Sequence, residues 1–379
     1  MPSARTRLSG SLDIEAYQFT QPSPALLFAD DRLLFSPRLT IDLDADLGRR
    51  FYAFVRTRVD RGFDPSEGRA RVRLDEAALR FFAKRDGSLH LQAGKFATVV
   101  GSWVPRHDSW SNPFVSAPLP YENLTGIWDV AAVRTSKQLL AWSHVPPAPV
   151  IRAEQEEKPL RVPVIWGPVY AMGGSVGGAV GRMEFALEWK RAPLSADPEV
   201  WDDLPDRLRD GSLGGRIGFR PNEAWAFGVS AAEGPYLRES AVGSLPAGSR
   251  RGDYLERVVS VDAAFAWHRF QVWSEVFRAS FGIPGIGRAK TITGYLEAKY
   301  KFGLRWSLAA RLNGQEFSRF PDDEGGRVPW GRRTWRVDLA PSVRFTAHAQ
   351  LKFQQSVTHE SGGSREWIPM TATQLTIRF

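Results

Sequence analysis

Residues 371–379 read TATQLTIRF, and this stretch decides how the rest of the chain is interpreted. Leu375, Ile377 and Phe379 lie on one side of an extended chain, and polar residues alternate with them on the other side. Such alternation predicts a half-buried β-strand. The last residues of most domains are frayed, so a strand that ends on an aromatic residue predicts that the end of the chain is held in a sheet.

The same period of two recurs along the chain, in segments of about ten residues separated by turn residues. Examples are SPRLTIDLDAD (36–46), RMEFALEWK (182–190) and WRVDLAPSVRF (335–345), each with an apolar face and a charged face. Since no comparably long segment shows a helical period, the chain is predicted to be all-β.

Short connections alternate with long ones, and this alternation discriminates further between all-β folds. Short turns such as KRDG (84–87) and PNE (221–223) alternate with longer loops. The pattern predicts a transmembrane antiparallel β-barrel of about sixteen strands, with short turns at one rim and long loops at the other. The longer loops are expected near 21–32, 61–70, 98–159, 193–211, 233–253, 282–288, 319–331 and 360–369.

The uncharged segment 162–181 has the length of a transmembrane helix, but it carries Pro163, Pro168 and six glycines. These residues disfavour a helix. We expect instead a strand, a turn at Gly173–Gly174 and a second strand.

Aromatic residues are expected at both ends of the strands, because a lipid-facing barrel places them at the two membrane interfaces. Near the short turns lie Phe51, Phe81, Trp225, Trp267, Phe270, Tyr300, Trp306, Phe345 and Phe379. Near the long loops lie Phe35, Trp189, Tyr254, Phe281, Phe317 and Trp335.

Soluble sandwiches, propellers and lipocalin-like barrels show the same alternation. A propeller would repeat a motif about every forty residues, and a sandwich of this length would need several domains and linkers. The sequence shows neither, so one barrel domain over residues 1–379 is predicted. In hydrocarbon every backbone polar group must be paired, so a sheet can cross a membrane only if it closes.

Composition excludes several kinds of site. The chain has no cysteine, which rules out disulfides, thiolate metal sites, a cysteine nucleophile and covalent c-type haem. Its net charge of +8 comes from scattered basic residues, so nucleic acid is not an expected partner. The six histidines show no metal-ligand spacing, and neither a metal nor a cofactor is expected. The start, MPSARTRLSG, lacks the apolar region of a signal peptide, which fits a cytosolic protein or a mature exported form.

The alternating strands, the alternation of turns and loops, and the final strand QLTIRF resemble a bacterial outer-membrane porin. LHLQAGKF (89–96) looks like the strand before the inward-folded third loop of phosphate-selective and carbohydrate porins. The resemblance implies residence in the bacterial outer membrane, contact with its lipid, and passive diffusion of small hydrophilic or anionic solutes. It also implies that the barrel assembly machinery reads Leu375, Ile377 and Phe379. Porins are often trimers, which adds a homotrimer to the implied partners.

Pore-lining residues are predicted from strand parity and from the long loop. The strands contribute Arg38, Arg56, Arg58, Arg216, Arg311 and Arg336, and basic side chains lead modestly over acidic ones on that face. Like charges in a pore set ion preference, so a weak anion preference is expected. Equal weight goes to the alternative that these residues form ordinary cross-strand ion pairs of small energetic value.

The loop 98–159 is the best candidate for a pore constriction, because ordered loops of this length are usually functional. Arg106, His107 and Asp108 supply a cation, a titratable ring and a carboxylate, flanked by two tryptophans. The alternative is an external loop stiffened by its prolines.

Two other functions remain open. A structural barrel could sheath a partner such as a multihaem cytochrome, which would then occupy the lumen. An outer-membrane enzyme is the second alternative, but no catalytic residue is predicted. His107-Asp108-Ser109 contains the residue types of a hydrolase triad, yet adjacent loop residues do not by themselves give its geometry. We therefore expect the chain not to be an enzyme.

Overall fold

Alternation of apolar and polar residues produces strands with one apolar face and one polar face, and these strands close into a barrel. The computed structural model describes residues 5–61, 70–84, 86–143, 157–197, 211–362 and 366–379. Within them, sixteen antiparallel strands close a barrel in which each strand pairs with the barrel strands before and after it, and the first strand pairs with the last. This confirms the predicted fold class.

The barrel strands are β1 (Arg5–Phe19), β2 (Leu33–Asp46), β3 (Phe51–Asp60), β4 (Arg71–Phe82), β5 (Leu89–Phe96), β6 (Ala171–Val180), β7 (Met183–Lys190), β8 (Ser212–Phe219), β9 (Trp225–Pro235), β10 (Leu255–Trp267), β11 (Phe270–Ile283), β12 (Gly287–Phe302), β13 (Trp306–Phe317), β16 (Thr334–Arg344), β17 (Ala349–Glu360) and β18 (Trp367–Arg378). A separate outer hairpin consists of β14 (Arg319–Pro321) and β15 (Arg327–Pro329). The described helices are α1 (Ser136–Ser143) and the 3-10 turns Val104–Arg106, Leu119–Tyr121, Lys158–Leu160, Glu239–Ser244 and Arg251–Asp253. None of the helices in the described ranges is long and apolar enough to cross a membrane.

The seam of the barrel joins the two ends of the chain. Ile14 lies opposite Leu375 in the β1–β18 register. Beyond it, the N–H of Phe379 donates to the carbonyl of Gly10 at 3.1 Å, and the N–H of Gly10 donates back to the carbonyl of Phe379 at 3.1 Å. The last strand therefore closes the sheet, as its sequence predicts.

Side chains alternate between the lumen and the outer surface with the period of the strands. On β13, Arg311 is 0% exposed whereas its neighbour Leu312 is 56% exposed. On β12, Glu297 and Leu296 differ in the same way, at 0% and 49%. Charged residues thus line the interior and aliphatic residues cover the outside.

Two predicted connections are wrong. Gly173 and Gly174 lie inside β6, and the turn to β7 comes later, at Gly181 and Arg182. A Cβ at Gly173 would clash with the carbonyl oxygen of Trp189, so this glycine permits close approach of neighbouring strands. The connection expected at 282–288 is also shorter than predicted, because β11 ends at Ile283 and β12 begins at Gly287.

The outer aromatic belt is smaller than predicted. Phe35 and Trp335 face outward and are at least one-third exposed, but Tyr254 and Phe281 are 0% and 1% exposed. The latter two pack inside the barrel with Trp330. Both rings share the parity of buried lumen residues, Glu256 for Tyr254 and Glu275 for Phe281. Their position near the long loops misplaced them, whereas parity places them on the lumen face.

Candidate functional site

The third long connection, between β5 and β6, lies inside the barrel. Its described parts are 97–143 and 157–170, and they carry the most buried apolar residues outside the strands. Val100, Trp103 and Tyr121 pack against the wall residues Phe277 and Tyr295. Further out, residues 127–139 pack with Tyr236 and Trp330 in a second apolar cluster. This confirms the predicted inward-folding loop, named here the lumen loop.

Acidic wall residues accept hydrogen bonds from the first part of the lumen loop. Glu188 on β7 accepts from the N–H of Val99 at 3.0 Å, and Glu275 on β11 accepts from the N–H of Ser102 at 2.8 Å. The hydroxyl of Tyr121 also donates to Glu275, at 2.7 Å. Carboxylates in the wall therefore satisfy loop amides that the absence of regular structure leaves unpaired.

Basic and amide wall residues bind the next part of the loop. The ammonium of Lys352 on β17 donates to the carbonyls of Ser109 at 2.7 Å, Asn112 at 3.0 Å and Phe114 at 3.2 Å. The side-chain oxygen of Gln354 accepts from the N–H of Val115 at 2.7 Å. The loop is thus anchored on opposite sides of the barrel.

A chain of alternating charges crosses the interior from the loop to the wall and back. Arg106 lies 2.6 Å from Glu297, whose second oxygen lies 3.6 Å from Arg311. Arg311 then contacts Asp338 at 2.8 Å. Arg336 contacts the same Asp338 at 3.0 Å and ends the chain in an ion pair with Glu122 of the loop. We call these six residues the ion chain. Four of them, Glu297, Arg311, Arg336 and Asp338, are 2% exposed or less.

Five of the nine predicted pore residues line one cavity of about 570 Å³, named here the vestibule: Arg38, Arg56, Arg58, His107 and Asp108. The vestibule lies on the short-turn side of the lumen loop and extends to the turn-side ends of β1 and β18. A neighbouring cavity of about 310 Å³ shares Arg56, His107 and Asp108 with it.

The remaining four predicted residues lie elsewhere. Arg106, Arg311 and Arg336 belong to the ion chain. Arg216 on β8 forms a bidentate ion pair with Asp262 on β10. All four are therefore engaged in ion pairs within the barrel and do not line the vestibule.

The three vestibule arginines also have carboxylate partners. Arg38 lies 3.2 Å from Asp13 and 2.6 Å from Glu15. Arg56 lies 2.7 Å from Asp42, while Arg58 lies 3.0 Å from Asp75. The cross-strand ion pairs that were expected as the alternative to free pore charges are therefore present in the structure.

His107 is held by two hydrogen bonds that define its tautomer. Its Nδ1 lies 2.5 Å from the carbonyl oxygen of Val104, and its Nε2 lies 2.6 Å from the hydroxyl of Tyr170. A carbonyl only accepts, so the neutral ring carries its proton on Nδ1 and accepts from Tyr170. Burial, aided by the positive charges of Arg56 and Arg58, lowers the pKa of His107 to about 4. The ring is therefore neutral at pH 7.

The neighbours of His107 have separate structural roles. Asp108 accepts from the N–H groups of Trp110 and Ser111, both at 2.9 Å, and so holds a tight turn. The hydroxyl of Ser109 donates to Asp13 at 2.7 Å. These three adjacent residues do not form the relay of a hydrolase triad.

The structure also contains a basic cluster around Trp110 that the sequence did not predict. The guanidinium carbons of Arg378 and Arg344 lie 3.9 Å and 4.9 Å from the centre of the Trp110 ring. Such contacts are cation–π interactions. Arg7 and His348 line the same end of the vestibule. Strand parity places Arg344 and Arg378 on the lumen face, but only the path of the loop brings Trp110 between them.

Charge on the described vestibule lining is biased toward cations. Arg7, Arg38, Arg56, Arg58 and Arg378 face Asp13, Asp42 and Asp108. No described carboxylate lies within ion-pair distance of Arg7, Arg344 or Arg378, although Arg344 donates to Gln350 at 3.0 Å. In the described ranges, no group of three or more His, Cys, Asp or Glu residues is arranged to hold a metal ion.

Comparison with protein-family models gives no match, and comparison with curated protein sequences gives none either. Solved structures do match the fold. The anion-selective porin from Comamonas acidovorans has a TM-score of 0.60 at 12% identity, with all of both chains covered.

The outer membrane channel DcaP of Acinetobacter baumannii has a TM-score of 0.61 at 10% identity, covering 100% of this chain and 98% of that one. OmpF of Salmonella typhi, solved with daunomycin, has a TM-score of 0.60 at 10% identity, covering 99% of this chain and 97% of that one. At these identities the likeness concerns the fold. The chain therefore has the fold of bacterial outer-membrane porins, a closed antiparallel barrel of sixteen strands.

Proposed function

We propose that this chain is a bacterial outer-membrane channel through which small hydrophilic solutes diffuse, with a weak preference for anions. The closed barrel with an aliphatic outer surface and a charged interior supports the membrane location. The cationic excess of the vestibule carries the anion preference, because confined charge of one sign attracts the opposite ion. The anion-selective porin among the matched structures agrees with this preference without establishing it.

The proposed path runs past the lumen loop beside β17 and β18. Val115 and Ala117 line both the vestibule and a smaller cavity of about 130 Å³ on the outer side. The outer cavity is also lined by Tyr17 and by the outer connection 24–27. A solute that crosses the barrel here passes residues 115–117. The loop thus constricts the pore in this proposal, and only small solutes pass.

The lumen loop weighs against the sheath alternative. Its anchored segments occupy the central and outer lumen, which is the space that an inserted cytochrome would need. An enzyme is also less favoured, because the residues of the apparent triad are each engaged elsewhere. A homotrimer stays a prediction of the porin resemblance.

Reversal potentials in a KCl gradient across a planar bilayer test the anion preference. The wild-type channel is expected to favour chloride. The double variant Arg344→Gln/Arg378→Gln removes the vestibule cation Arg378 and the neighbouring Arg344, which contacts the same Trp110 ring. Neither has a described carboxylate partner, so the preference for chloride is expected to fall.

A matched control removes two cations from the outer hairpin, through Arg319→Gln/Arg327→Gln, and should leave the reversal potential unchanged. A wild-type channel that favours potassium would contradict the anion preference. A folded barrel without any conductance would contradict the channel itself.

A further inference from the structure

Four cations face away from the lumen on three neighbouring strands. They are Arg257 on β10, Arg278 on β11, and Arg288 and Lys290 on β12. Arg257, Arg278 and Lys290 are exposed, and Arg288 is half-buried. All four lie toward the long-loop ends of their strands. We call this group the outer basic patch.

Strand register places the four side chains close together. Arg257 lies opposite Ser280 on β11, and Ser280 lies opposite Lys290 on β12. Arg278 lies two residues before Ser280 on β11, and Arg288 lies two residues before Lys290 on β12. With strands about 4.8 Å apart and about 3.4 Å per residue, the patch spans about 10 Å by about 14 Å. Several cations could thus contact one bulky anionic group.

The patch has fewer carboxylates than cations. Glu233 pairs with Arg257, and the nearby outward-facing Glu316 pairs with Arg333 at 3.0 Å. Neither Arg278 nor Lys290 has a carboxylate within ion-pair distance in the described parts of the chain. Lysines and arginines that lack a protein partner in such a group favour an external anion.

Arg288 gives an independent indication of a ligand. Its Nε donates to the hydroxyl of Ser280 at 3.1 Å, which fixes the guanidinium against the barrel. Its Nη2 is shielded from solvent and has no hydrogen-bond partner among the described residues. A buried donor without an acceptor is costly, so turning this guanidinium outward to an acceptor from outside the chain would relieve that cost.

An apolar strip on the same strands begins level with Arg278, which lies between Val259 and Ile292 in the register, and continues toward the short-turn ends. Val259, Val276, Ile292 and Leu296 are each about half exposed, at 50%, 48%, 56% and 49%. Near the long-loop ends of other strands the outer surface carries aromatic rings such as Trp335 and Trp367. On β10 to β12, cations replace these rings at the boundary where headgroups meet hydrocarbon.

We propose that the outer basic patch binds the phosphate groups of an anionic glycolipid in the outer leaflet, with the acyl chains on the apolar strip. The proposal rests on the proposed membrane location. Guanidinium groups match phosphate through paired N–H donors, and the ammonium of Lys290 adds a point charge. The strip gives the acyl chains a surface that free phosphate could not use.

Native mass spectrometry of the folded barrel in a neutral detergent tests the proposal, with purified lipid A as the probe. The wild-type barrel is expected to retain lipid A. The triple variant Arg278→Gln/Arg288→Gln/Lys290→Gln should weaken retention at least about tenfold, since it removes the three cations that lack a carboxylate partner. Dephosphorylated lipid A lacks the phosphate groups that the patch is proposed to bind. The wild type should therefore retain it as weakly as the patch variant retains intact lipid A.

The matched control removes three exposed cations at the turn rim, through Arg49→Gln/Arg269→Gln/Lys301→Gln, and should retain lipid A as the wild type does. Equal retention by wild type and patch variant would overturn the proposal, as would equal binding of phosphorylated and dephosphorylated lipid. Displacement of lipid A by millimolar inorganic phosphate alone would overturn the lipid headgroup as the ligand.

The patch variant should keep the wild-type conductance in planar bilayers, because its substitutions face away from the lumen. Conductance therefore reports the channel and lipid retention reports the patch. A wild type without conductance would contradict the channel, while its lipid retention would still decide the patch.

Discussion

At the scale of single residues, Gly10 and Phe379 form a matched contact at the seam of the barrel. A Cβ at Gly10 would lie 2.6 Å from the Phe379 ring and 2.5 Å from the carbonyl oxygen of Thr40. Glycine thus leaves room for the last aromatic ring to lie over β1. The contact gives a structural reason for an aromatic residue at the end of TATQLTIRF.

Phe379→Ala and Gly10→Val should each lower the yield of folded barrel in the outer membrane. Phe379→Ala removes the ring that covers the seam. Gly10→Val places a side chain where the Phe379 ring lies and so displaces that ring from the seam. The measurement is the heat-modifiable folded fraction in membrane preparations. Phe345→Ala is the control, since Phe345 is an exposed aromatic on a short turn. Wild-type yield for both seam variants would refute the role assigned to this contact.

Residue parity predicts which charges enter the lumen but not what they contact. Arg311 and Arg336 alternate with aliphatic neighbours, so their inward direction follows from the sequence. Their partners do not, because Glu122 lies 214 residues from Arg336 along the chain. Likewise Trp110 meets Arg344 and Arg378 only through the path of the lumen loop. Contacts of this kind depend on tertiary structure.

At the scale of elements, the lumen loop is held by the ion chain. Glu297 lies between Arg106 and Arg311, and its carboxylate is 0% exposed. Removing one member of a buried ion pair leaves the other charge without compensation, which costs more than the pair contributes. The loop should therefore depend strongly on this one carboxylate.

Glu297→Gln should lower the free energy of unfolding by about 3–5 kcal/mol, since it removes the ion-pair partner of Arg106 and one of the two partners of the buried Arg311. Urea unfolding in phospholipid vesicles measures the change. Asp323→Asn is the control, because the Lys137–Asp323 pair is 76% and 66% exposed and such pairs contribute about 0–1 kcal/mol. Similar losses for both variants would show that the ion chain does not stabilise the loop.

Element boundaries could be predicted where a single pattern dominates. The terminal strand and the alternation of turns with loops follow directly from the sequence. Gly173 and Gly174 misled the prediction, because glycines that permit close strand packing look like turn residues in sequence. Tyr254 and Phe281 misled it in another way, since both rings lie near long loops as interfacial rings do, although their parity matches that of the buried lumen residues Glu256 and Glu275.

At the scale of the whole molecule, the barrel and its lumen loop act as one structure. Closure of the sheet pairs the backbone groups of the strands. The loop packs against the inner wall in the central and outer lumen. The fold class was predictable, because period-two alternation and connection lengths are properties of the sequence. The vestibule was only partly predictable, because parity gives its wall residues Arg38, Arg56 and Arg58, whereas His107 and Asp108 join them only through the position of the loop.

Single-channel conductance of a loop deletion measures directly whether the lumen loop constricts the channel. Removing residues 106–116 deletes Trp110 and the segment anchored by Lys352, and a short Gly/Ser linker joins the ends. Replacing the outer hairpin tip, 322–326, is the control and should leave conductance unchanged. If the lumen loop constricts the channel, the deletion should raise conductance several-fold over wild type in planar bilayers. An unchanged conductance in the folded deletion variant would show that the lumen loop does not constrict the channel.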